Sequence, residues 1–157
     1  MKKIKKIFLI LLLIPCVFML SGCLKQKSIT ADQFKNIMAK NGYEVVESTD
    51  QYKDIMKVKK SYIALYKDRK FQFELIEFDT IEEAIRIYDI NKQKFEDKKT
   101  TTAYKYVNID GKNYSKYRCI SGGKYMALTR INNTLMYVDI NQEYEKEVNN
   151  AIKKFGY

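Results

Sequence analysis

The sequence predicts an α+β domain: antiparallel strands in one or more sheets, with amphipathic helices packed on one face. Three observations lead there. Apolar residues recur at helical spacing in three segments, and two of these open on capping-box sequences. Between the helices lie short runs rich in aromatic and β-branched residues, which favour strands. In the second half, Asp110-Gly111, Gly122-Gly123 and Asn132-Asn133 punctuate such runs about every dozen residues, and all three tolerate the positive φ of tight hairpins.

Thr30-Ala31-Asp32-Gln33 has capping-box spacing and opens a first helix with Phe34, Ile37 and Met38 as its stripe; Gly42, after Asn41, stops it. Tyr43 to Ser48 reads as a strand, and the polar stretch Gln51 to Lys60 as a loop with a helical turn. Tyr62–Tyr66 and Phe71–Phe78 form a hairpin around the charged tip Lys67-Asp68-Arg69-Lys70. A second capping box, Thr80-Ile81-Glu82-Glu83, begins a long helix to about Asp97 on which Ile81, Ala84, Ile85, Tyr88 and Phe95 share a face. After a loop at Lys98–Thr102, a four-strand meander follows. Asn141 to Phe155, with Tyr144, Val148, Ala151, Ile152 and Phe155 in register, is the cleanest amphipathic helix. The predicted order is αβββ-αββββ-α. A weak internal echo, Tyr62-Ile-Ala-Leu against Tyr125-Met-Ala-Leu, raises the idea of a duplication.

The first 23 residues have a different character. Met1 to Lys6 is basic, and Ile7 to Leu20 is an apolar run of fourteen residues. A membrane-spanning helix needs about 20, whereas a signal-peptide core needs fewer. Leu20-Ser21-Gly22-Cys23 follows and resembles the lipobox of bacterial lipoproteins. The resemblance covers residues 1–23 only. It implies that the Cys23 thiol receives a diacylglyceryl group and that the chain is cut before it. The expected organisation is therefore a cleaved leader at 1–22, a lipidated cysteine and tether at 23–29, and one α+β extracytoplasmic domain at 30–157. A fully extended six-residue tether, Leu24 to Ile29, reaches about 20 Å. Lys25 and Lys27 would then lie at the lipid surface, where each contributes up to about 1 kcal/mol on anionic headgroups.

The charge balance follows the same division. Four of the 29 basic residues lie in the leader, which leaves 25 against 19 acidic groups and a net +6 for the rest. That excess suits anionic lipid or wall polymer more than a nucleic-acid groove, and nucleic acid is not an expected partner. There is no histidine, and the one proline is Pro15 in the leader. The commonest acid–base residue and metal ligand is thereby missing.

Candidate chemistry is sparse. Cys119 lacks a histidine to activate it and alternates onto the Tyr117 face of a strand, with Arg118 opposite; it reads as a packed residue. Asp89-Ile90-Asn91 and Asp139-Ile140-Asn141 start like calcium loops but lack the glycine and the closing glutamate, and so read as turns or caps. Glu74, Glu77 and Asp79 read as solvated carboxylates, Glu74 and Glu77 facing opposite ways. No phosphate loop, nucleophile elbow or dinucleotide fingerprint occurs, so neither catalytic residues nor a cofactor or metal are expected. Of the 13 tyrosines, Tyr104 and Tyr106 share a strand face and are candidates for a ligand or partner platform.

These observations predict a non-catalytic lipoprotein on the outer face of the cell membrane that binds an envelope component or a small ligand. The expected partners are the membrane, through the lipid on Cys23, and another envelope protein or an anionic wall polymer. The alternatives are a small envelope hydrolase working with carboxylates alone, and an accessory subunit or inhibitor of another envelope protein. Richness in Lys, Ile, Asn and Tyr points to an AT-rich genome, hence a low-GC Gram-positive bacterium.

Overall fold

A computed structural model describes residues 27–101 and 105–157. Cys23 and the leader therefore lie outside the described residues. Helix α1, Ala31–Lys40, starts at the Thr30 capping box: Gln33 N donates to Thr30 Oγ1 (3.2 Å), and Thr30 N donates to Gln33 Oε1 (2.9 Å). It ends at Asn41, and Gly42 takes the left-handed φ of 81° that continues the chain into the sheet. Helix α2 is Ile81–Asp97 and helix α3 is Glu145–Lys153.

Seven strands form one antiparallel sheet: β1 (Glu44–Glu47), β2 (Val58–Leu65), β3 (Gln72–Phe78), β4 (Tyr106–Ile109), β5 (Tyr114–Ser121), β6 (Lys124–Ile131) and β7 (Thr134–Asn141). Their order is β1-β2-β3-β7-β6-β5-β4, so the first three strands and the four-strand meander meet at the β3–β7 pair. The chain is α+β with the element order αβββ-αββββ-α.

The helices divide between two faces instead of sharing one. On the first face, α1 (Phe34, Met38) and α3 (Val148, Ile152) pack on Phe73, Leu75, Met136 and Val138. On the second, α2 (Ala84, Ile87, Tyr88, Phe95) packs on Ile76, Phe78, Leu128 and Leu135. The cause lies in β3 and β6. Every residue from Phe73 to Phe78 and from Tyr125 to Ile131 is buried, so both faces of these strands need cover. A sheet with one solvated face would alternate apolar with polar residues. On the first face Phe34 meets Phe73 and Phe155 edge to face, with ring centroids 5.9 and 5.8 Å apart. Burying each such side chain contributes roughly 1.5–3 kcal/mol.

Local details also depart from expectation. In α2 it is Ile87, not Ile81, that joins the core; Ile81 is exposed and Ile85 half-buried. Strand β7 runs on to Asn141, so α3 begins only at Glu145, after a single turn at Gln142–Tyr144. Gly122 and Gly123 use positive φ (56° and 74°) between β5 and β6, as does Asn132 (52°) between β6 and β7. Gly111 does not; its constraint is space, since a Cβ there would lie 2.9 Å from the Tyr114 carbonyl oxygen. Asp89–Asn91 lies within α2 and is neither a turn nor a cap, whereas Asp139–Asn141 ends β7 and Asn141 is the N-cap position of the single turn that follows. Tyr62 and Tyr125 occupy β2 and β6, which flank the central pair on the first face. The helices that follow β3 and β7 lie on opposite faces, so the echo is limited to strands.

Candidate functional site

The second face is not fully covered by α2. Between that helix, strands β2, β3 and β7, and the loop from Thr49 to Met56 lies a cleft of about 550 Å³. The loop starts as a single 3-10 turn, Thr49–Gln51. It is pinned to β2 by Ser48 N to Ser61 O (3.0 Å) and Ser61 N to Thr49 Oγ1 (3.1 Å). Its far end is tied to α2. Thr80 caps the helix by accepting from Glu83 N (3.1 Å), but the Glu83 carboxylate does not reach back. It accepts instead from Lys57 N (3.2 Å) and from Arg86 (2.9 and 2.6 Å), so the second capping box is diverted into holding the cleft mouth. That pairing with Arg86 keeps the Glu83 carboxyl below its ordinary value.

Glu74 forms the polar floor. It faces the second side of β3 opposite Tyr137 of β7, and only 8% of it is exposed. Its Oε1 accepts from Ser48 and Ser61 hydroxyls, both at 2.6 Å, and its Oε2 accepts from Tyr52 at 2.7 Å. These lengths are those of hydroxyls donating to a charged oxygen. Burial, with the negative charge of Glu74 beside it, pushes the Tyr52 phenol well up. Burial chiefly, then Asp139 and Glu74, pushes Tyr137 up to about 12. Around this floor the lining is mixed: Met56, Ile63, Ile76, Ile87 and Ile90 form apolar wall, and Gln51, Gln72, Arg86, Asn91, Lys94 and Asp139 add polar groups.

Glu77 is buried as well, at 6% exposure, but on the first face. It accepts from Lys59 Nζ (2.7 Å) and from Ala31 N at the start of α1 (2.8 Å). The expectation that Glu74 and Glu77 are solvated is thus corrected; their opposite orientation holds, and only Asp79 is exposed. The reason is again that β3 is central and covered twice. The sequence signal that could have found this is the near-continuous apolar run in which both glutamates sit.

Tyr104 and Cys23, the residue expected to carry a lipid, lie outside the described residues. Tyr106 stands on edge strand β4, 51% exposed. Its ring packs edge-on against Tyr117 (5.6 Å) with Lys99 Nζ 4.7 Å from its centroid, and its hydroxyl donates to Glu96 (3.1 Å). Cys119 is fully buried on the Tyr117 face, with Arg118 on the other, as its alternation requires.

Sequence reasoning missed Arg130 altogether. It is 1% exposed and has no carboxylate partner among the described residues. Its guanidinium donates to the carbonyls of Gly111 (2.6 Å), Lys112 (3.2 Å) and Asn132 (3.2 Å), and to Ser115 Oγ (2.9 Å). Burial holds it below the usual guanidinium range, and carbonyl dipoles in place of a counter-ion tie the β4–β5 and β6–β7 turns together.

No group of three or more His, Cys, Asp or Glu among the described residues could hold a metal ion, and none of the helices there is long and apolar enough to cross a membrane. No protein-family model matches the chain, and no curated protein matches it. One solved structure, described as a GTP binding regulator from Thermotoga maritima, is similar in fold: the TM-score is 0.50 with 20% identity, over 82% of this chain and 88% of that one. At that identity the likeness extends to the fold alone.

Proposed function

We propose that this chain is a membrane-anchored extracytoplasmic binding module, held by lipid on Cys23, whose second-face cleft takes a small ligand. The observation that carries the binding half is the cleft itself. Its volume lies in the range of small-molecule sites, and it combines an apolar stretch of wall with polar groups that include the buried Glu74. The anchoring half rests on the leader and on Leu20-Ser21-Gly22-Cys23. Ile29 already packs against the first-face core, which would keep the domain close to the lipid surface.

Recognition suits the cleft better than hydrolysis. Glu74 and Asp139 both line it, but Glu74 is engaged by three hydroxyls and Asp139 is paired with Lys98 at 2.8 Å. A general acid or base must be free to exchange a proton with substrate. A second reading, an accessory subunit, draws on β4, where all four residues are exposed on a sheet edge with one unpaired side.

The test of the binding reading is ligand-observed NMR of a small-molecule library against the full chain in detergent, repeated with Ile90→Arg. Binders whose signal is lost in the variant support the cleft as the site. A library that gives no binder, or binders indifferent to Ile90→Arg, defeats the reading.

A further inference from the structure

The charges around the cleft balance in number but not in burial, and this specifies the ligand more closely; the inference rests on the cleft being the binding site. Four charged side chains line it. Arg86 is neutralised by Glu83 in a two-point pair, and Asp139 by Lys98. Glu74 and Lys94 remain, and neither enters an ion pair among the described residues. Lys94 is exposed on α2 and solvated, whereas Glu74 is buried. The other buried carboxylate, Glu77, has a lysine and a helix N-terminus as partners. Glu74 has hydroxyls only, two on Oε1 and one on Oε2, which leave one acceptor site open and no cation facing its charge.

We propose that the cleft binds a small primary ammonium compound with an apolar body, Glu74 supplying the counter-charge. A low-dielectric cleft with one buried charge concentrates the opposite sign within it. Oε2 accepts one hydroxyl and keeps room for a further N–H donor. Tyr52 and Tyr137 line the cleft beside Glu74, and aromatic rings next to a bound cation add to its attraction. The apolar stretch of wall favours an organic cation over a hydrated metal ion, which a single carboxylate would hold poorly. The volume suits a compact molecule more than a long peptide.

The experiment compares three probes of one shape on the full chain in detergent: 2-phenylethylammonium, 2-phenylethanol and 3-phenylpropionate. Dissociation constants come from NMR titration of wild type, Glu74→Gln and Ile90→Lys. The ammonium should bind at least tenfold tighter than the other two. Glu74→Gln should bring it within about twofold of the alcohol, since the acceptor remains but the charge does not. Ile90→Lys, at an exposed position on the cleft wall, should weaken the ammonium most and the alcohol less, and it serves if Glu74→Gln does not fold. Equal binding of the three probes, altered by Ile90→Lys, overturns the cation inference and leaves the binding site standing. Absence of binding, or binding untouched by Ile90→Lys, overturns both.

Discussion

Replacing Lys116 with methionine should stabilise the protein. Lys116 and Arg118 alternate onto the first face of β5, and Lys153 of α3 adds a third cation. None of the three is ion-paired among the described residues. Burial, with repulsion from Arg118 and then Lys153, pushes the Lys116 amine down to about 8. At neutral pH it is charged in both folded and unfolded chains, and the folded state bears the cost. Converted directly, the shift corresponds to about 3 kcal/mol. The side chain is only half-buried, so solvent screening reduces this to about 1 kcal/mol. Between about pH 8 and 10.5 the unfolded chain holds more protons at this site, so wild-type stability from this group rises with pH in that window. Urea unfolding by far-UV circular dichroism should give Lys116→Met about 1 kcal/mol more stability at pH 7, shrinking at pH 9.5. A loss at pH 7, or a gain that does not depend on pH, would refute the reasoning.

Arg130→Met should cost about 3 kcal/mol in the same assay, because three turn carbonyls lose their donor; a cost below about 1 kcal/mol would mean that water replaces the guanidinium there. Lys60 and Tyr62 hold Asp32 below the usual carboxylate value, and Arg86 does the same for Glu83. Their contribution is present above the ordinary carboxylate range and is lost as pH falls through the lowered values, so Glu83→Gln should flatten acid unfolding below about pH 4; an unchanged titration curve would contradict this. Cys119, fully buried, should resist a thiol reagent in the native protein and react once urea unfolds it; prompt native reaction would place it outside the core.

Local signals were the legible part of the fold. The Thr30–Gln33 box forms both of its hydrogen bonds, and Thr80 caps α2. The Gly122-Gly123 dipeptide makes a hairpin turn because glycine alone adopts two successive positive φ values cheaply. What could not be read depends on partners distant in sequence. Whether Glu74 is solvated is decided by Ser48 and Tyr52, which lie 26 and 22 residues away, and by α2 lying over its strand. The Glu83 carboxylate follows local capping rules only until Lys57 and Arg86 compete for it. Arg130 looks like an exposed strand residue until the turns that surround it are in place. The cleft belongs to this second group, since it exists only once β2, β3, β7, α2 and the Thr49–Met56 loop have assembled.

A binding domain held at the membrane by lipid on Cys23 must show that lipid on its N-terminal peptide. Mass spectrometry of the N-terminal peptide from the membrane fraction tests it most directly. The peptide should begin at Cys23 and carry a diacylglyceryl group, with Cys23→Ala accumulating as unmodified precursor. An unmodified Cys23, or a variant that is still cut and retained, would contradict it.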